Sequence, residues 1–306
     1  MIRELRSQDA DCSIAQAAAV MGDWWSLLIV REVTRGHRRF DDLLGELGIS
    51  RKVLTERLKH LVEHGVLTRE PYQSGPVRYE YVLTDAGWAL APMLITMQDW
   101  ADRWLLGDGT LTGVAAPRSP EAARVHALLG THIPDPLRLP ALISRPPLTT
   151  DQTDPGERTA SLDVVADARA TVLFAYPSTG LPAPLPPGWD QVPGAVGCTL
   201  ENRIFRDRHP EFAAHDIAIH GVSTQRPDEQ AAFAAAEDIP FPLLSDMDLR
   251  LAAALRLPTF RAGQALRLKR LILVVDRLRV IRHVIFPVLD IPAAITEALT
   301  AAEAIS

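Results

Sequence analysis

The stretch ISRKVLTERLKHLVEHGVLTREPYQSGPVRYEYVLTDAG, residues 49–87, determines the fold of the first part of this 306-residue chain. Ser50 is a residue type that caps the free N–H groups at a helix start. Apolar residues then recur at helical spacing: Val53, Leu54, Leu58, Leu61 and Val62. The basic residues are predicted to lie largely on the remaining surface: Arg51, Lys52, Arg57, Lys59 and His60. Gly65 suits the left-handed turn that ends a helix.

Two short β-type runs follow this helix, Val66–Tyr72 and Val77–Leu83. The intervening Gln-Ser-Gly-Pro is typical of a turn, and Thr84 can cap another helix. A basic helix followed by a β-hairpin is the plan of a winged helix, a fold that binds DNA. The stretch therefore predicts a recognition helix and a wing.

Three helices are predicted before this stretch, over residues 13–22, Trp24–Thr34 and Phe40–Leu47. Gly48 lies at the bend of the resulting helix-turn-helix. One long helix is predicted after the stretch, over Thr84–Leu105. It carries more apolar residues than one face of a small domain needs, so we expect this helix to mediate homodimerisation.

Composition limits the classes of function. The net charge of −6 argues against a protein that coats nucleic acid along its whole surface. Residues 31–59 nevertheless hold eight Arg or Lys against five acids, which permits a local basic patch. We find no apolar run of membrane-spanning length and no signal peptide, so we expect a cytoplasmic protein without a membrane partner. Cys12 and Cys198 are too few for a disulfide framework, and we expect no metal site and no cofactor.

The chain is predicted to hold two domains. Residues 1–107 form the mainly helical winged helix-turn-helix domain, and the Gly-, Thr-, Ala- and Pro-rich residues 108–125 form a linker. In residues 126–306, a proline-interrupted extended arm (128–143) and a polar loop (144–160) precede alternating strands and helices. This alternation predicts an α/β three-layer sandwich with a mixed sheet.

Several motifs in order connect the first domain to a known family: Cys12, GDWWSLLIVREV (22–33), RRFDDLL (38–44), ISRKVLTERLKHLVEHGVLTR (49–69) and PVRYEYVLTDAGWAL (76–90). Over about 100 residues the chain resembles the HxlR family of bacterial winged-helix regulators. The resemblance implies a homodimer whose two recognition helices enter successive major grooves of an inverted-repeat DNA operator. Cys12 matches the cysteine of redox-sensing members, and a sensor and an inert thiol both remain open for it.

The candidate DNA-binding residues lie on the recognition helix and the wing. A solvated charged face is the alternative interpretation of any basic helix, but the turn, the wing and the family pattern agree here. We predict contacts to double-stranded DNA from Ser50, Arg51, Lys52, Thr55, Glu56, Lys59 and, in the wing, Arg78.

The second domain carries FAYPSTG (174–180), PGAVGCTLENRIFRDRHPEF (193–212), GVSTQ (221–225), FPLLSD (241–246) and RLILVVD (270–276). In these motifs it resembles the peroxiredoxins, thiol peroxidases of the thioredoxin fold. The resemblance implies that Cys198 is the peroxide-attacking cysteine, placed just before a helix over Thr199–Ala214. Arg270 matches the arginine that stabilises the thiolate, and Pro177 matches the proline that follows the first active-site strand. A helix start and an arginine both favour thiolate, so we expect a depressed pKa for Cys198.

The sequence departs from the family pattern at two points. Ala195 stands three residues before the cysteine, where many peroxiredoxins have a Thr or Ser, and Thr179 would supply a hydroxyl only if the inserted segment LPAPLPPGWDQ folds it inward. Arg203 stands where some relatives have a resolving cysteine, so turnover would need an external thiol reductant.

These observations favour a DNA-binding transcriptional regulator that responds to peroxide through Cys198 or Cys12. Two alternatives remain open. One alternative is a one-cysteine thiol peroxidase that carries an autoregulatory DNA-binding domain. The other is a regulator whose second domain has lost catalysis, in which Cys198 is only a small buried apolar residue.

Overall fold

The computed structural model describes residues 9–105, 117–143, 158–180, 185, 189, 194–262 and 265–305. The chain divides into two compact units, Met1–Leu94 and Ile95–Ser306, and each is described by itself. Within the described segments, no single helix is long and apolar enough to span a membrane. By length and composition alone, the helix pair Ser13–Met21 and Trp24–Thr34 passes that test together, with a bend of 76° between its members.

The first unit has the predicted winged-helix order of elements. It contains α1 (Ser13–Met21), α2 (Trp24–Thr34), α3 (Phe40–Leu47), α4 (Arg51–Glu63), β1 (Leu67–Ser74), β2 (Val77–Leu83), α5 (Asp85–Trp88) and the start of α6 (Ala91–Trp104). Ser50 caps α4 as predicted, since its hydroxyl accepts the backbone N–H of Val53 at 3.3 Å. Gly48, between α3 and α4, has a φ of 59°, a left-handed conformation that favours glycine.

The core of this unit lies among α2, α3 and α4, where the buried residues include Ile29, Val30, Val33, Leu43, Leu54, Leu58 and Leu61. The prediction that Arg57 and His60 lie on the surface is wrong, because they are only 6% and 5% exposed. Position 57 belongs to the buried side of α4, since it lies three residues after Leu54 and four before Leu61. The Arg57 Nε atom lies 3.1 Å from the Asp23 carboxylate.

The hairpin and the following helix differ in how well they were predicted. β1 and β2 pair antiparallel, with Leu67 opposite Leu83, which confirms the wing. The single helix predicted over Thr84–Leu105 is instead divided into α5 and α6. Pro92 explains the break, because its ring clashes with the carbonyl of Trp88, the last residue of α5.

The second unit contains the remainder of α6 and a five-stranded mixed sheet. Its elements are α7 (Pro120–His126), β3 (Arg138–Ile143), β4 (Arg158–Asp163), β5 (Ala170–Ala175), α8 (Cys198–Ala214), β6 (Ile217–Ser223), α9 (Pro227–Ala236), β7 (Leu243–Ser245), α10 (Arg250–Leu255), β8 (Thr259–Ala262), β9 (Ala265–Leu268), β10 (Leu271–Asp276), β11 (Ile281–Ile285) and α11 (Ile291–Glu303). The strand order is β11-β10-β5-β6-β7, with β5, β6 and β7 parallel and β10 antiparallel to both neighbours.

Both faces of the sheet are covered. Val172 and Phe174 on β5 belong to a core that includes residues of α8, α9 and α11: Phe205, Phe212, Phe233, Ile295 and Leu299. Leu173 points to the opposite face, because side chains alternate along a strand, and it is 2% exposed. The predicted three-layer α/β architecture with a mixed sheet is confirmed.

Three parts of this unit differ from the sequence-based expectation. Helix α7 begins at Pro120 inside the predicted linker 108–125, capped by Ser119, and it buries Ala122 and Val125. The expected extended arm ends in β3, which pairs with β4 at the end of the expected polar loop. The hairpin of β8 and β9 was not predicted. Elements of four to seven residues are too short to show a clear periodicity.

Candidate functional site

The predicted recognition residues share one exposed side of α4. All six are exposed: Ser50, Arg51, Lys52, Thr55, Glu56 and Lys59. Arg51 pairs with Asp41 at 3.2 Å, and Lys59 pairs with Glu63 at 3.6 Å. These ion pairs are solvated and therefore weak, so either cation can exchange its carboxylate for a phosphate.

The wing carries more basic residues than the sequence analysis identified. Arg78 is exposed and pairs with Gln73 beside the turn of the hairpin. The Arg69 guanidinium lies 4.2 Å from the centre of the Tyr79 ring, and that of Arg39 lies 4.4 Å from the centre of the Tyr72 ring. Two arginines and three tyrosines within residues 69–81 are the signal that could have identified the wing residues, whereas Arg39 precedes α3.

A second cluster joins α2 to α3. The ligand atoms of Glu32, His37 and Glu46 lie within 4.8 Å of one another, although no metal site was predicted from their spacing in the sequence. Arg31 and Arg35 already bind one oxygen of Glu32, at 2.6 and 3.0 Å. The positive charges of Arg31 and Arg35 balance the negative charges of Glu32 and Glu46, so the cluster is an ion-pair network.

The two cysteines have different environments. Cys12 is exposed and occupies the N-cap position of α1 without a side-chain capping bond. Cys198 is only 3% exposed. It is the first residue of α8, where the sequence predicted a position just before the helix. The preceding Gly197 has a φ of 109°, and a side chain there would meet Ile291 at 2.8 Å.

The thiol of Cys198 lies among three polar groups. The Arg270 Nη2 atom is 3.5 Å from Sγ, and the thiol donates to the Ala195 carbonyl at 3.5 Å. The backbone N–H of Ser178 is also close enough to Sγ to lower the pKa of the thiol. Arg270 in turn binds the fully buried carboxylate of Glu201, which was not predicted. The structure thus brings Cys198 and Arg270 together across 72 residues of sequence.

The expectation of a depressed thiol pKa is wrong for this conformation. Burial raises the pKa of Cys198, and although Arg270 opposes that shift, the charge of Glu201 adds to it. Burial likewise raises the pKa of Glu201 to about 7 against the effect of Arg270. Desolvation dominates because Cys198 is buried, so its environment in this conformation favours the neutral thiol.

A cavity of about 570 Å³ adjoins the thiol. Its lining is mostly apolar: Gly180, Leu185, Trp189, Ala195, Val196, Gly197 and Leu200, together with Ser178, Cys198 and Thr199. Pro177 is buried directly after Tyr176, at the end of β5. The cavity can hold a small, largely apolar molecule against Sγ.

The two departures from the family pattern also have a structural context. The Thr179 hydroxyl donates to Gln225 Oε1 at 3.2 Å, and the Thr179 N–H donates to the same atom at 2.8 Å. This bond turns the hydroxyl toward Gln225. Arg203 is exposed on α8 and forms a two-bond ion pair with Glu237 at 2.7 and 2.8 Å.

Comparison with known proteins separates the same two regions. Residues 20–108 match the HxlR-like helix-turn-helix family, and residues 193–284 match the AhpC/TSA family. An uncharacterized HTH-type transcriptional regulator of Mycobacterium tuberculosis is 44% identical over 93 residues, which are 30% of this chain and 59% of that protein. The uncharacterized HTH-type transcriptional regulator YvaP of Bacillus subtilis is 41% identical over 91 residues, which are 29% of this chain and 84% of YvaP.

Among solved structures, peroxidoxin BcpB of Mycobacterium tuberculosis is 30% identical, with a TM-score of 0.40. The match covers 49% of this chain and 88% of that one. The chain therefore spans about three fifths of the mycobacterial regulator and most of YvaP, and it carries a further region that matches the AhpC/TSA family.

Proposed function

The chain belongs to the HxlR family of helix-turn-helix regulators, and on this basis we propose that it is a transcriptional regulator whose affinity for DNA responds to thiol oxidation. The second domain, matching the AhpC/TSA family, is the sensor in this proposal. One observation carries it: a cysteine at the start of a helix lies 3.5 Å from a buried arginine in the same chain as a helix-turn-helix.

The DNA-binding part of the proposal places α4 in the major groove. The exposed face that includes Arg51, Lys52 and Lys59 contacts base edges and phosphates, while Arg78 in the wing contacts the backbone. As a homodimer the protein binds an inverted repeat with half-sites about 34 Å apart. Because the protein is proposed to bind chromosomal DNA, we expect it in the cytoplasm.

The dimer contact is proposed to form along α6. Met97, Trp100 and Trp104 follow one another at intervals of three and four residues and are 47%, 55% and 64% exposed. Large apolar side chains in such a stripe favour burial against an identical stripe on a second copy.

The redox part of the proposal is a two-electron oxidation of Cys198 by a hydroperoxide. The sulfur gains an oxygen and becomes a sulfenic acid, while the peroxide is reduced to an alcohol or water. The thiol hydrogen that bonds to the Ala195 carbonyl is lost and a polar oxygen is added beside Arg270, so the contacts of Cys198 with Arg270 and Ala195 must rearrange. An external thiol then restores the reduced form. Cys12 is the exposed alternative sensor.

The test is an operator-binding titration by fluorescence anisotropy before and after one equivalent of peroxide. We expect oxidation to change the affinity of the wild type and of Cys12→Ser but not that of Cys198→Ser. The reverse pattern would assign the response to Cys12. Equal affinity in all states would remove the redox response and leave DNA binding in place.

A one-cysteine thiol peroxidase is the second candidate function. The cavity beside Cys198 and the nearby Arg270 favour it. Catalytic consumption of peroxide in the presence of dithiothreitol would support this enzyme, while a single turnover would support a sensor. Absence of any reaction at Cys198 would support a second domain that has lost catalysis, as Ala195 suggests.

A further inference from the structure

Peroxide reduction at Cys198 needs a hydroxyl beside the reacting oxygens, and Ala195 has none. A polar group that donates to the departing oxygen stabilises the charge that develops when the O–O bond breaks. The structure brings another hydroxyl to the same cavity from a different part of the chain. We propose that Ser178 supplies the hydroxyl that Ala195 lacks and is a catalytic residue in the oxidation of Cys198. This inference rests on the proposed function.

The position of Ser178 supports this role. The residue lines the cavity together with Cys198 and Ala195, and it is 5% exposed. Its backbone N–H is close enough to Sγ to favour the thiolate, so the residue lies next to the thiol. Its hydroxyl donates to the Thr179 carbonyl at 3.3 Å, a long bond for two oxygens. The hydroxyl can therefore turn to a ligand in the cavity at little cost.

Thr179, the substitute suggested by the sequence, is less suitable. Its hydroxyl and its N–H both donate to Gln225 Oε1, and Gln225 is 4% exposed. The Gln225 amide also donates to the Thr179 carbonyl at 3.4 Å. These bonds use the Thr179 side chain to fix the loop, and a fixed loop holds Ser178 beside Sγ. Gln225 is thus a positioning residue for Ser178.

The reaction balances as follows. The Cys198 thiolate attacks the hydroxyl-bearing oxygen of a hydroperoxide, and the S–O bond forms as the O–O bond breaks. The electron pair of the O–O bond leaves on the other oxygen, which takes a proton to give an alcohol, or water from hydrogen peroxide. The sulfur is oxidised by two electrons to sulfenic acid, and the peroxide is reduced by two. The Ser178 hydroxyl donates to the departing oxygen in this step.

The test measures the second-order rate of Cys198 oxidation in a Cys12→Ser background. Stopped-flow tryptophan fluorescence and mass spectrometry follow the reaction with hydrogen peroxide and with tert-butyl hydroperoxide. We expect Ser178→Ala to slow both reactions about 100-fold, the effect of removing one such donor. Alkylation by iodoacetamide should stay within about threefold of the parent, because the backbone N–H that contacts Sγ is retained.

Two further variants separate chemistry from folding. Ser178→Thr keeps the hydroxyl and should recover most of the peroxide rate. Adding Ala195→Thr to Ser178→Ala should also restore it in part, because it returns a hydroxyl to the usual family position. Ser161→Ala, which removes an exposed hydroxyl on β4, is the matched control.

Peroxide oxidation of Ser178→Ala at the parent rate would overturn this inference and leave the proposed function standing. An equal loss of alkylation and peroxide rates would also overturn it, since the thiol itself would then have changed. A parent Cys198 that reacts with neither peroxide would overturn both.

Discussion

Arg270 and Glu201 are predicted to change the reactivity of Cys198 in opposite directions. Arg270 lies 3.5 Å from Sγ and stabilises the thiolate, whereas the buried carboxylate of Glu201 destabilises it. Arg270→Met should therefore slow the reaction with iodoacetamide and peroxide. Glu201→Gln replaces the carboxylate with a neutral amide of nearly the same shape and should accelerate both reactions.

The magnitude follows from the distance between the charge and the sulfur. One unit charge 3.5 Å away contributes about 5 kcal/mol at an effective dielectric constant of about 20. Glu201 binds the same guanidinium and cancels part of its field, so we take about half of that value. About 2.5 kcal/mol corresponds to about a 70-fold fall in the thiolate fraction for Arg270→Met.

The assay is the pH dependence of Cys198 alkylation in a Cys12→Ser background. Burial raises the pKa of Cys198 above its ordinary value, so the thiolate fraction and the rate should rise about tenfold per pH unit from pH 6 to pH 8. Glu201→Gln should shift this profile to lower pH and Arg270→Met to higher pH.

Two results would refute the reasoning. One is a plateau in the wild-type rate below pH 8, which would mean that the thiolate already predominates. The other is a shift of both variants in the same direction, which would point to a change in the accessibility of Cys198 rather than in its charge. Thermal unfolding of each variant is the accompanying control.

Three more predictions concern DNA binding, stability and assembly. Arg51→Ala with Lys52→Ala should weaken operator binding about 10- to 100-fold in anisotropy titrations and reduce the slope of log affinity against log salt by about 2. Asp23→Ala should destabilise the first unit by about 4 kcal/mol in urea unfolding, because it removes the cap of α2 and leaves buried Arg57 without this carboxylate. Trp100→Glu should convert the dimer to a monomer in analytical ultracentrifugation, since it puts a charge in the exposed apolar stripe of α6.

Each of these predictions has a matched control. Arg226→Ala removes an exposed arginine that directly precedes α9 and should leave DNA affinity unchanged, and an equal loss would mean a general effect of charge. Asp23→Asn keeps a capping side chain and should cost less than Asp23→Ala, so equal costs would contradict the capping argument. Leu278→Glu alters another exposed apolar residue, 65% exposed, and should leave the dimer intact. A Trp100→Glu protein that stays dimeric would exclude the α6 contact.

The winged helix could be predicted in most of its detail because local signals specify it. Ser50, the apolar positions of α4 and the hairpin turn each act over a few residues. The exposure of a side chain was predicted wrongly where tertiary packing buries a residue type that is usually exposed. Arg57 was expected outside because it is charged, yet it is buried beside Asp23. The break before α6 could have been predicted from Pro92.

The thiol site was predictable only through family resemblance. Cys198 and Arg270 are far apart in sequence, and no periodicity connects them. Glu201 and Ser178 were missed as site residues because their roles depend on how the strand and helix ends meet. The direction of the thiol pKa shift was wrong for the same reason, since burial is a property of the folded chain.

The burial of Cys198 has a consequence for the kinetics of any signal that it carries. Although a cavity adjoins Cys198, the residue is only 3% exposed, so we expect the site to open transiently before an oxidant contacts Sγ. The rate of Cys198 oxidation should then increase with peroxide concentration only while the site closes faster than the exposed thiol reacts. At higher concentrations every opening leads to oxidation, and the rate of opening becomes the limiting rate. The protein would respond in proportion to weak oxidative stress and at a fixed maximum speed to severe stress.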